Sequence, residues 1–273
     1  MIKDVTLGQY FPGSSVIHRA DPRMKLIGAV LYITAVFLAK SVAAFALIIA
    51  ATAVIILLSG LRFSMILRGM KPLLYILIFT AIINVFWVTG EKVLFSFWII
   101  HIYLEGIIYA LLMMVRITCL LTGTSVLISY TTSPIQLTDG LEQLISPLKK
   151  LHLPVHEFSM MMTIALRFIP TLVEETDRIM SAQKARGSDF SSGNVFQRAK
   201  ALIPVLIPLF VSAFRRADDL ATAMECRCYH GGEGRTRMKT LKMQKSDLIF
   251  LAAFLLLCAS AVLINIYIPI YSI

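Results

Sequence analysis

The sequence predicts an all-α, polytopic membrane protein: about five transmembrane helices and three long amphipathic helices on the cytoplasmic side. Three observations predict this class. Of the 273 residues 58% are hydrophobic and the mean hydropathy is +0.78, whereas soluble domains hold roughly 45–50% apolar residues. The apolar residues are gathered into blocks approaching the ~20 residues that a spanning helix needs. Residues 131–246 then change to helical-period patterns with polar faces and almost no strand alternation. The formal net charge of +10 fits an excess of Lys and Arg in cytoplasmic loops rather than nucleic-acid binding. The start, MIKDVTLGQYFPG, carries Asp4 and lacks the apolar core of a secretory signal.

The blocks divide the chain into an N-terminal membrane region, 1–130, with four spans, an amphipathic region, 131–246, and a last span in 247–273. The first span, Leu26 to Ala39, is short, and Lys40 and Ser41 turn it into the second, Val42 to Leu58. The third is Leu73 to Val88, the fourth Ile107 to Ile128, and the fifth Leu248 to Ile268. Arg23 and Lys25 precede the first span, and Arg62, Arg68 and Lys71 separate the second from the third. The connection TGEKVLFSFWIIHIYLEG has one Lys and two Glu, with Trp98 and Tyr103 suited to a membrane interface. This asymmetry puts the N-terminus and residues 131–246 in the cytoplasm and the C-terminus outside. Arg116 lies inside the fourth span; a structural partner or snorkelling explains such a residue, and a place in a substrate path is the other reading.

Three helices are expected in the amphipathic region. The first runs from Pro134 to Leu151 with Leu137, Leu141, Leu144, Leu148 and Leu151 on one stripe, and Pro147 should bend it. The second runs from about Val155 to Arg186, with Pro170 as a kink and Gly187 as its stop. The third runs from about Val195 to Arg227, disturbed by Pro204 and Pro208 and charged in its second half by Arg215, Arg216, Asp218 and Asp219. Met160, Met161 and Met162 add an adaptable apolar surface. The stripes pack either on the protein's own spans or under a partner, as a platform along the inner membrane face.

A repeat joins the last two helices. AQKARG at 182–187 is echoed by AMECRC at 223–228; a shift of 41 residues puts Ala182 on Ala223, Arg186 on Arg227 and Asp177 on Asp218. Each helix therefore ends in an arginine between two small residues, Ala185-Arg186-Gly187 and Cys226-Arg227-Cys228. Small neighbours let another surface come close, and guanidinium offers a planar fork of donors for carboxylates. A cation near a helix C-terminus is also favourable by itself. Two instances in matched contexts suggest two equivalent acceptors, such as a pair of ATPase subunits.

The chain shows no chemistry of its own. It has no GxxxxGK[ST]; HEFSM at 156–160 fails HExxH at Met160; its five histidines are scattered. Cys119 and Cys258 read as packing residues, and Cys226 and Cys228 have neither redox nor zinc spacing. Neither a metal site nor a cofactor is expected.

LRFIPTLVEETDRIMSAQKARG at 166–187 resembles the T-component signature of energy-coupling factor (ECF) transporters, and AMECRCYHGGEGRTRMK at 223–239 resembles its second half. The tail GGEGRTR is similar to the version in shared, group II T components. The resemblance covers most of the chain and is weak in the spans. It implies a transmembrane coupling subunit of a vitamin importer in a prokaryotic cell membrane, not itself an enzyme. Arg186 and Arg227 would insert into two ABC-type ATPases. Coupling helices, with Leu137, Leu141, Leu144, Leu148, Met161 and Met162 among the contacts, would hold a small membrane-embedded vitamin-binding subunit, the S component. Cys226 and Cys228 depart from the Ala-Arg-Gly of many relatives and add an oxidation-sensitive possibility. Metal-specific or cobalamin-specific T components are the nearest family-level rival. The alternative from another class is a self-sufficient secondary transporter or channel with Arg116, Glu105 and Asn84 along its route.

Overall fold

The computed structural model describes residues 10–89, 93–97, 100–147, 154–190, 193–232 and 243–267. Its elements are α1 (Val16–Arg19), α2 (Pro22–Leu38), α3 (Val42–Ser59), α4 (Phe63–Met70), α5 (Leu74–Trp87), β1 (Val93–Phe97), β2 (Ile100–Tyr103), α6 (Leu104–Thr124), α7 (Pro134–Ile145), α8 (Val155–Ala185), α9 (Val195–Glu225) and α10 (Lys245–Tyr267). The chain is a helical, multi-pass membrane protein. By contact it forms two compact units, Gly8–Gln143 with Leu241–Ile273, and Met1–Leu7 with Leu144–Thr240.

The first unit is a bundle of mostly apolar helices. α2 starts where Asp21 caps it, its carboxylate accepting from Arg23 N at 2.9 Å, with Pro22 in the first turn where a missing N–H costs nothing. Ser41 caps α3 in the same way, and Gly60, at φ +67°, ends it in the left-handed region. The expected third span, Leu73 to Val88, forms α5, with the short helix α4 ahead of it. α4 and α5 meet at 63° through a 3-10 turn, Lys71–Leu73, in which Pro72 withholds its N–H. α6 passes into a π-helical stretch, Ser125–Tyr130. The connection before it, expected only to place aromatic residues at a membrane interface, contains an antiparallel hairpin, β1 on β2. Trp98 lies outside the described residues, and Tyr103 is half-buried.

α2 sits at the bundle's centre. Its Tyr32 is fully buried, donates to Cys119 O at 2.8 Å and pairs with Thr52 Oγ1 at 2.7 Å. Gly123 of α6 faces the Tyr32 ring so closely that a Cβ there would collide with it. In lipid there is little hydrophobic drive between helices, so small residues and interhelical hydrogen bonds set the packing. α10 runs parallel to α2. Asp247 Oδ1 accepts from Asp21 N at 3.0 Å at one end, and Asn265 Oδ1 accepts from Lys40 N and Ser41 N at 3.1 Å at the other. α6 runs antiparallel to α2, and Arg116 donates to Ala39 O at 2.7 Å while lying 5.1 Å over the Phe45 ring. Arg116 thus serves a helix end, as the structural reading expected. At the opposite end Lys25, 2% exposed, donates to Thr131 O, Thr132 Oγ1 and His18 O.

The second unit is built on α8 and α9, each 31 residues and each unbroken through its prolines. A reciprocal capping box of Asn194 and Gln197 starts α9. Three ties fix the pair as antiparallel. Gln183 Nε2 donates to Pro204 O at 3.4 Å, Arg216 reaches Glu175 Oε2 at 2.6 Å, and Gly232 lies against His156 and Glu157. The first tie has a backbone cause: Pro208 has no N–H to offer the Pro204 carbonyl four residues back, so that carbonyl is free for Gln183. By length and composition α3, α6 with its π extension, α9 and α10 could each cross a membrane, and the bent α4–α5 pair would be a fifth. α9 was read from its pattern as amphipathic rather than spanning; it passes this test through its apolar first two-thirds.

Candidate functional site

The two arginine tips are closed by the same pair of backbone bonds. At the end of α8, Ser188 N donates to Gln183 O and Gly187 N to Lys184 O, both at 3.0 Å. At the end of α9, Tyr229 N donates to Met224 O at 3.1 Å and Cys228 N to Glu225 O at 2.8 Å. These are the 6→1 and 5→2 bonds of a Schellman cap. Every donor and acceptor in the second cap lies 41 residues after its counterpart in the first.

Such a cap needs its next-to-last residue in the left-handed region. Gly187 meets this at φ +89° without cost. Cys228 meets it at φ +56°, the only non-glycine with positive φ among the described residues. A left-handed L-residue costs about 1–2 kcal/mol, so the α9 tip holds the same shape against strain. His230 Nδ1 lies 2.8 Å from Cys228 O.

The geometry leaves both guanidiniums outward. Ala185, Arg186, Gly187, Cys226, Arg227 and Cys228 are all exposed, and among the described residues no ion pair engages either arginine. The carbonyls ending each helix add partial negative charge behind the arginine. Each tip therefore presents an exposed cation between two small residues, a shape that can meet a carboxylate-lined recess.

One feature of the pair was not read from the sequence as functional: the Glu175–Arg216 bridge. Glu175 and Arg216 are also 41 residues apart, so they occupy the same place in the repeat. Each tip arginine lies eleven residues beyond it (175 to 186, 216 to 227), about 16 Å along its own helix. Because the helices run antiparallel, the tips point to opposite ends, related by an approximate twofold through the bridge. Opposite charges at equivalent repeat positions were the available signal.

The other candidates are dispersed. Met161 and Met162 are 57% and 40% exposed on α8. On α7 Leu137 and Leu144 are half-buried and Leu141 is exposed; Leu148 lies outside the described residues. The helix expected to run to Leu151 ends at Ile145 as an α-helix, before Pro147. The polar groups suggested for a transport route have structural partners: Arg116 holds Ala39 O, and Asn84 Nδ2 donates to Thr80 O one turn back.

Comparison with known proteins agrees with the architecture. The sequence model of a family described as cobalt transport protein matches residues 13–239. The energy-coupling factor transporter transmembrane protein EcfT of Clostridium kluyveri is 51% identical over 262 residues, 95% of this chain and 97% of its own. The EcfT of Acidaminococcus fermentans is 51% identical over 261 residues, 94% and 97% of the two chains, and that of Bacillus subtilis 45% over 259 residues, 95% and 97%. Similarity at this level across nearly the whole length, with the twin tips inside the matched region, makes this chain a member of the energy-coupling factor transporter transmembrane (T component) family.

Proposed function

We propose that the chain is the coupling scaffold of an ECF-type vitamin importer and hydrolyses no ATP itself. Two ABC-type ATPases dock on the tips at Arg186 and Arg227, and a small membrane-embedded S component rests on apolar faces of α7 and α8, including Leu137, Leu141, Leu144, Leu148, Met161 and Met162. The observation that carries this reading is the duplicated cap with its outward guanidinium, on helices related by an approximate twofold. Two similar motors need two similar sockets, and a twofold-related pair of levers presents them.

The same reading makes α9 a lever rather than a span. Arg215, Arg216, Asp218 and Asp219 crowd its second half, and α8 is tied to it in antiparallel contact through Gln183 and Glu175. It also orients the protein. Arg23, Lys25, Arg62, Arg68 and Lys71 gather at the bundle end where α6 gives way to Thr131, and Lys40 lies at the other. Cations on the cytoplasmic side put the N-terminus and the levers inside and the C-terminus outside.

The test is co-purification of the two ATPases with Arg186→Ala, Arg227→Ala and the double variant. Truncating one partner of a buried interfacial charge pair costs about 2–5 kcal/mol. Each single variant is expected to weaken association, and the double to abolish both association and vitamin uptake, with membrane insertion intact. Unimpaired association of the double variant would defeat the proposal.

A further inference from the structure

We propose that the elbow between α4 and α5 is a binding site for one anionic phospholipid. An open cavity of about 400 Å³ lies there, and its lining combines Leu67, Met70, Leu74 and Leu77 with Arg68 and Lys71. Both cations are exposed, and neither has a carboxylate partner among the described residues. The stretch 60–89 contains three cations, Arg62, Arg68 and Lys71, and not one Asp or Glu. Both cations are therefore open to an anion from outside the chain.

The walls decide which anion. Leu67 and Leu74 are 52% and 53% exposed, and the apolar surface continues onto Phe63 of α4 and Tyr75, Ile78 and Phe79 of α5. A free phosphate would leave these walls wet. An amphiphile with a phosphate head and an acyl tail satisfies both the cations and the leucines. The fold places the elbow suitably: Gly69 touches Tyr130, so it lies at the bundle end where the membrane helices stop. The 63° bend turns α4 away from the axis of α5, as a helix lying along the interface would turn, and the basic pocket beside a span matches the charge pattern that recruits anionic headgroups. This inference does not depend on how the arginine tips are used.

The experiment is native mass spectrometry of the full chain with phosphatidylglycerol or phosphatidylcholine. The wild type is expected to retain one phosphatidylglycerol and no phosphatidylcholine. Arg68→Gln with Lys71→Gln should weaken retention about 30-fold, on the basis of two surface cations. Arg68→Lys with Lys71→Arg should keep it, and so should Lys40→Gln with Lys245→Gln, which removes the same charge elsewhere. If the glutamine pair melts below the wild type in detergent alone, the charge-conserving pair decides: retained lipid supports the site, lost lipid overturns it. Equal loss in the Lys40/Lys245 variant would also overturn it, as would displacement by 10 mM inorganic phosphate, about the same outcome as a free-anion site. In membranes, a photo-crosslinker at Leu67 should capture lipid; capture of a protein subunit instead would overturn the proposal.

Discussion

The two caps can be exchanged by single substitutions with opposite expected signs. At the α8 tip, a Cβ on Gly187 would meet no atom within 4 Å, so Gly187→Ala costs only the left-handed backbone. That strain is about 1–2 kcal/mol, and stiffening the open state returns about 0.4–1 kcal/mol of it. The net is about 1 kcal/mol, or roughly fivefold in the local opening equilibrium. At the α9 tip, Cys228→Gly relieves the same strain and should tighten the cap by a similar or smaller amount. Amide hydrogen exchange at Gly187 and Ser188, and at Cys228 and Tyr229, reads these openings directly, because those are the cap donors. Faster exchange confined to the α8 tip in one variant, and slower exchange confined to the α9 tip in the other, is the expected result. No change at the α8 tip in Gly187→Ala would refute the strain reasoning. A change spread over both helices would mean that the tips are not independent local caps.

Two further outcomes follow from the packing. Glu175→Arg or Arg216→Glu alone should alter the distance between spin labels at Ser181 and Thr222, whereas the exchanged pair should restore it; the bridge is half-exposed, so its cost to global stability should stay under about 1 kcal/mol. Gly123→Val should displace the Tyr32 ring and break its bonds to Cys119 O and Thr52, lowering thermal stability in detergent more than Tyr32→Phe, which loses about 1 kcal/mol of hydrogen bonding.

Much of the framework was legible in the sequence because it is governed by local rules. Lys40 and Ser41 mark the turn between the first two spans, and α8 and α9 follow their apolar periods to within two residues of expectation. The 41-residue echo located both arginine tips. Where local signals competed, the reading was less complete. The third span, expected over Leu73 to Val88, matches α5, but the short helix α4 ahead of it was not expected, and the aromatic connection before α6 was not expected to form a hairpin because its register depends on cross-strand pairing.

What the sequence alone determined is the set of parts: apolar blocks, amphipathic levers, two arginines at matched helix ends, and the family these belong to. Only the tertiary structure decided how the parts are used. It showed that α8 and α9 run antiparallel, which sets Glu175 against Arg216 and sends the tips to opposite ends. It showed that a carbonyl released by Pro208 is taken up by Gln183, and that Arg116 donates to Ala39 O at the end of α2. These contacts join residues tens of positions apart. Their free energy depends on distance and direction across a packed interface, which no local pattern along the chain encodes.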